Sequence, residues 1–285
     1  MVTLSGDIVG RYDRFSLFNS PYPAHDAGRA VDLYPGDGVE VAASPVAGEV
    51  QATRTVRCPP KPYAADHDHL VLVDRGDVVA RMLHVDPSVE AGDRVAVGDP
   101  LGELVRSGFF GRWVDDHIHL GFREPDQNLR RATGSLPLAL DVDVAGVDWD
   151  GTGEVIEAGP THVRLDAPRL DRERGFAAVG GDDGTPLDGG LVHYAGGGAL
   201  APTDGTVSLL GTPVGRADGR RLEWADVALS VVDDAGRRRR ATGLSLFASQ
   251  VRFGAKLVFH EGHDLSVGDR LTVSAEPAAD PVRLG

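Results

Sequence analysis

The sequence predicts an all-β fold built from two domains. Three observations predict it. Its 285 residues include 37 glycines and 18 prolines, which punctuate the chain at short intervals. The apolar runs between them are short and bounded by turn signals, as strands are. Few windows show the 3.6-residue periodicity of an amphipathic helix.

In the first part, strands are expected at Val39–Ala43, Gly48–Val56, His69–Val73, Val78–Leu83, Arg94–Val97 and His117–Phe122. Gly36-Asp37-Gly38, Arg75-Gly76-Asp77 and Ala91-Gly92-Asp93 supply the turns between them. Residues 105–115 hold Gly108, Phe109, Phe110, Gly111 and Trp113 and read as an aromatic patch on flexible backbone. The polar stretch from Glu124 to Ser135 reads as a boundary, giving domains at 1–130 and 136–285.

Beyond it, strands are expected at Leu138–Val147, Glu154–Ala158, His162–Leu165, Thr206–Leu210, Val227–Val232, Leu244–Phe247, Lys256–Phe259 and Arg270–Ala275. The glycine-rich residues 180–200 read as loops. Two short matches recur in order. His84 stands ahead of Gly92-Asp93-Arg94 as His260 does ahead of Gly268-Asp269-Arg270, and Pro45-Val-Ala-Gly48-Glu-Val50 resembles Pro202-Thr-Asp-Gly205-Thr-Val207. They read as an eroded repeat of the first module in the second domain.

Composition excludes several functions. The net charge is −14, from 32 Asp and 11 Glu against 27 Arg and 2 Lys. Nucleic acid and anionic membranes need clustered basic residues, so neither is expected as a partner. The Arg237–Arg240 run follows Asp-Asp-Ala-Gly and reads as a solvated hairpin tip. No stretch of about 18 apolar residues is present, so no membrane insertion is expected. Residues 1–10 lack a basic segment followed by an apolar stretch, and Cys58 is a lone cysteine, which together read as a cytoplasmic, reducing location. The Asp-rich, Lys-poor balance resembles proteins of salt-loving organisms. Oligomeric state is not legible.

Histidines carry the candidate chemistry. On a strand, His117 and His119 of Asp116-His-Ile-His-Leu120 project from one face, side by side, with Ile118 and Leu120 behind. His25 and Asp32 lie on a loop-to-strand passage and can offer a nitrogen and an oxygen to a metal. His84 ends the apolar segment Val78–Leu83. A second His-x-His, in Asp66-His67-Asp68-His69, reads as a solvated strand start.

The ordered set resembles the LytM-type zinc endopeptidases, the M23 peptidase family, over about residues 20–123. It comprises His25…Asp32, Pro45-Val-Ala-Gly48-Glu-Val50, Arg81-Met-Leu-His84, Val89-Glu-Ala-Gly92-Asp-Arg-Val95-Ala-Val-Gly98-Asp-Pro-Leu-Gly102 and His117-Ile-His119. The resemblance implies a compact antiparallel, barrel-sandwich-like β domain with an open groove. It also implies Zn2+ held by His25, Asp32 and His119, with His84 and His117 as catalytic groups acting on the water and the oxyanion. A peptide or cell-envelope-like substrate would follow.

Three departures stand out: six residues separate His25 from Asp32 in place of three, Asp116 replaces a proline, and Leu120-Gly121 replaces Phe-Glu. Two functions therefore stay open, a zinc metallopeptidase and a non-catalytic binding or scaffold protein on the same fold. A lipoyl- or biotinyl-carrier module would need a lysine on a tight hairpin, which neither Lys61 nor Lys256 provides.

Overall fold

A computed structural model describes residues 1–170 and 175–284. It is nearly all β, as the turn-rich sequence predicts. The chain forms two compact units, residues 1–15 with 23–142, and residues 16–22 with 143–285. Among the described residues, no helix is long and apolar enough to cross a membrane.

The elements up to residue 142 are β1 (Val2–Ser5), the one-turn helix α1 (Gly6–Val9), β2 (Arg14–Ser16), β3 (Ala30–Tyr34), β4 (Val41–Ala43), β5 (Gly48–Arg57), β6 (His67–Asp74), β7 (Val79–Leu83), β8 (Val85–Pro87), β9 (Arg94–Val95), β10 (Pro100–Leu104), β11 (Ile118–Arg123) and β12 (Leu138–Asp141). In the first unit β3, β11, β7, β6, β5 and β9 form one antiparallel sheet in that order. A smaller antiparallel sheet joins β4, β10 and β8.

Register decides what each face of the main sheet carries. Ile118 pairs with Leu33, Leu120 with Val31 and Met82, and Phe122 with Ala80. Directly paired residues share a face, and these side chains are fully buried. The opposite face carries His119 paired with Asp32 and with Leu83, then Gly121 with Ala30 and Arg81. This second face is covered too. The segment after β11 lies against it, where the Arg81 guanidinium donates to the Leu129 carbonyl at 2.6 Å and Arg123 to the Arg131 carbonyl at 2.9 Å.

The second unit has a core of Val, Leu, Ala, Phe and Trp side chains from Trp149 to Ala275. Its glycine-rich region departs from the loops expected at 180–200: Leu187–Leu191 and Gly196–Ala199 are paired, buried strands. Packing is the reason. A Cβ at Gly198 would lie 2.1 Å from the Phe18 ring, and one at Gly197 would lie 2.4 Å from the Trp224 ring. These glycines admit aromatic rings against bare backbone, so their composition mimics a loop. The Arg237–Arg240 run does close a hairpin, but Arg239 is largely buried and pairs with Asp233 at 3.0 Å and Asp264 at 2.5 Å.

Asp188 fixes residues 16–22 within this unit. Fully buried, it accepts from the Ser16 hydroxyl at 2.6 Å, the Leu17 N–H at 2.6 Å and the Phe18 N–H at 3.2 Å. Asp188→Ala would strand three buried donors, each costing about 1–3 kcal/mol. We expect urea unfolding to show a loss of at least ~3 kcal/mol. A midpoint equal to that of the wild type would sink this anchoring role.

Candidate metal centre

His25 stands on a 3-10 turn, Pro23–Gly28, that does not run on as a helix. Asp26 is extended, and Ala27 and Gly28 both adopt left-handed backbone, with φ +56° and +65°. Two successive left-handed residues fold the six intervening residues into a bulge that returns the chain to β3. Asp32, in the middle of β3, is the cross-strand partner of His119 on β11. The wide His25–Asp32 spacing is thus absorbed locally.

The three side chains converge. His119 Nδ1 lies 2.9 Å from Asp32 Oδ1 and 3.1 Å from His25 Nε2, and His25 Nε2 lies 3.3 Å from Asp32 Oδ1. A tetrahedral ion with ligand bonds of about 2.0–2.1 Å holds its donors roughly 3.3 Å apart. The triangle nearly matches one face of such a tetrahedron. All three residues are buried, and among the described residues they are the one group of this kind with converging ligand atoms. The donor set can hold a metal, and two nitrogens with one oxygen suit zinc.

Electrostatics favours the ligand forms. Burial by itself would raise the Asp32 carboxyl. The charges of His25 and His117, with hydrogen bonds from His119 and His25, outweigh it and hold the carboxyl well below its usual range. Burial pushes His119 down to about 4 against the opposing hydrogen bond to Asp32. Burial likewise takes His117 down to about 3, with the Asp32 charge opposing. At neutral pH this leaves Asp32 ionised and His117 and His119 neutral, the protonation states a metal requires of such groups.

His84 and His117 sit beside the triangle. His117 Nε2 lies 3.6 Å from Asp32 Oδ2, and its Nδ1 lies 2.8 Å from the Asp115 carbonyl. The His84 and His117 rings meet edge to face with centroids 4.8 Å apart. Contrary to the flexible patch expected at 105–115, the aromatic loop is pinned. Arg106 donates to the Val114, Gly111 and Arg112 carbonyls and pairs with Asp116, and Phe110 packs on both His84 and His117.

The second His-x-His departs from the solvated strand start expected of it. His67 is exposed and His69 half-buried, but Asp68 between them is fully buried and bonded to His84. Sequence reasoning gave Asp68, Ser107 and Phe110 no role at the site. The signal for Asp68 was there in the alternation Asp68-x-Leu70-x-Leu72, which turns it to the same face as two buried leucines.

Fold and site together define a two-unit, all-β protein with a buried His–Asp–His group able to hold a metal. The chain matches the family described as "Domain of unknown function (DUF8155)", its N-terminal domain over residues 3–140 and its C-terminal domain over residues 145–276. It carries both domains in order and belongs to that family. No curated protein matches it. Among solved structures, the NMR solution structure of lysostaphin is similar at 12% identity and a TM-score of 0.27, over 90% of this chain and 96% of that chain.

Proposed function

We propose that the first unit is a zinc-dependent peptidase of LytM type that hydrolyses a peptide bond in a glycine-containing or cell-envelope-like substrate. The observation that carries this reading is the convergence of His25, Asp32 and His119 with two further imidazoles beside them. Three protein donors leave a tetrahedral ion one open position, the arrangement of catalytic zinc as opposed to closed structural sites. Bound there, zinc would lower the pKa of a water molecule toward about 7 and polarise a carbonyl.

The protein's own groups then have separate tasks. The Asp115 carbonyl takes the Nδ1–H of His117, leaving its Nε2 lone pair on the side of Asp32. That imidazole, neutral at working pH, can accept a proton from a nucleophile at the centre. His84, the neighbouring imidazole, can hold the same water by hydrogen bonding. Phe110 keeps bulk water off both rings.

A second reading, a zinc-stabilised protein without turnover, is favoured by one observation: each of these five residues is at most 6% exposed. Glycine-rich peptides separate the two. Protein refolded with zinc should cleave them and protein refolded with a chelator should not. Zinc-loaded protein that leaves every such peptide intact would establish the second reading.

A further inference from the structure

Asp68 is a buried carboxylate that the proposed reaction does not yet use. Its Oδ1 accepts the backbone N–H of His69 at 2.6 Å and of His84 at 2.8 Å. Its Oδ2 meets His84 Nδ1 at 2.6 Å and accepts the Ser107 hydroxyl at 2.6 Å. Ser107 Oγ itself accepts the Phe109 N–H at 3.2 Å, so its proton is free for Asp68. Four donors on one fully buried carboxylate is a built arrangement, and two of them belong to a single residue, His84.

His84 needs holding. Its φ is +71°, left-handed backbone that a non-glycine residue adopts only under strain. The same carboxylate grips its N–H and its ring. These bonds also outweigh the burial that would raise Asp68, and take its carboxyl down to about 2. An ionised carboxylate only accepts, so His84 Nδ1 must carry the proton and, in the neutral ring, Nε2 the lone pair.

The second unit offers an internal comparison. His260, the residue that the internal similarity aligns with His84, also follows a strand and is also held at two points by one side chain, here through a single oxygen. Thr242 Oγ1 accepts its N–H at 3.0 Å and meets its Nδ1 at 2.9 Å. A hydroxyl both donates and accepts, so it fixes the position of the ring without fixing its tautomer. No group of metal-ligating side chains stands beside His260 among the described residues. Where a ring only has to be held, a hydroxyl serves; beside the metal centre the chain uses a carboxylate.

We infer that Asp68 is a positioning residue, locking His84 as the Nδ1–H tautomer with Nε2 presented as the acceptor for the reaction. The inference rests on the peptidase reading for its purpose, but its physical content can be read without turnover. The experiment is 15N NMR of the histidine side chains in the full-length zinc-loaded protein, with the His84 signals identified by their loss in His84→Gln.

Wild type should show protonated Nδ1 and bare Nε2. Asp68→Asn, whose amide turns a donor toward the ring, should reverse them, while kcat on the cleaved peptide falls about 10²–10⁴-fold, as for a wrong-tautomer histidine, with KM within about 3-fold. If Asp68→Asn does not fold, Asp68→Ser, which copies the hydroxyl of Thr242, is read in the same way. Protonated Nε2 in wild type, or an unchanged ring in both variants, would overturn the inference and leave Asp68 as packing alone. A reversed tautomer in a protein whose wild type cleaves nothing supports the clamp and sinks only the peptidase reading.

Discussion

His119→Ala should reduce bound zinc from one ion per chain to a trace, and Asp32→Ala should do the same. Both residues are buried, and their ligand atoms lie 2.9 Å apart on paired strands, so each substitution removes one of the three converging donors. Loss of an outer partner of a metal ligand already costs about 10–100-fold in affinity, so loss of a ligand should cost more than about 100-fold. Metal analysis of protein refolded with zinc reads the result directly. Wild type without zinc, or full zinc in either variant, would remove the metal from the site.

A pH effect accompanies this result. In the metal-free fold His119 and His117 titrate at about 4 and about 3, below the 6.5 of a free imidazole. Between those values the unfolded chain binds more protons than the folded one, so stability falls as pH drops below about 6.5. At pH 5 a metal-free sample should melt at lower temperature than at pH 7.5. Zinc should raise both midpoints, and the more so at pH 7.5, because protons compete for the ligands.

His117→Ala should leave zinc at one per chain and lower kcat by about 10²–10⁴-fold, the range for a positioned acid–base group. The combination matters. Its Nε2 is 3.6 Å from Asp32 Oδ2 and lies outside the His25–Asp32–His119 triangle, so removing it takes away no ligand of that set. A variant that keeps both zinc and full turnover would assign His117 to packing beneath Phe110. One that loses zinc would make it a ligand.

How much of this was legible depended on how local the physics was. His162–Leu165 is a strand as expected, and most other expected strands lie within a residue or two of those found, because alternating or continuous apolar runs bounded by Gly-Asp turns leave few other conformations. Leu138–Val147 is instead broken into Leu138–Asp141 and Val144–Val147.

The glycine strands around Gly197 and Gly198 were illegible, since their cause is Phe18 and Trp224, far away in sequence. The repeat has the same lesson. Gly92 and Asp93 exchange backbone bonds with Val50, as Gly268 and Asp269 do with Val155. The hydrogen-bonded counterpart of Gly48-Glu-Val50 is therefore Gly153-Glu-Val155, and Gly205–Leu209 pairs instead with Thr212–Ala217.

At the site, residue types and order pointed to His25, Asp32, His84, His117 and His119. What the reading of the sequence missed was burial. Asp68 in a run of Asp and His looks solvated until Leu70 and Leu72 are seen to set its face, and the loop around Phe110 looks mobile until Arg106 is seen to gather its carbonyls.

That gathered loop bears on how an ion would reach the site. Phe110 is seated on two of the histidines and Arg106 fastens the backbone around it, so from that side an ion would reach the site only with the loop moved aside. Exchange past it should then run at the pace of loop opening, and occupancy would be decided earlier, as the chain folds around whatever cation is at hand. The metal recovered with the purified protein would be a record of its biosynthesis rather than of its buffer.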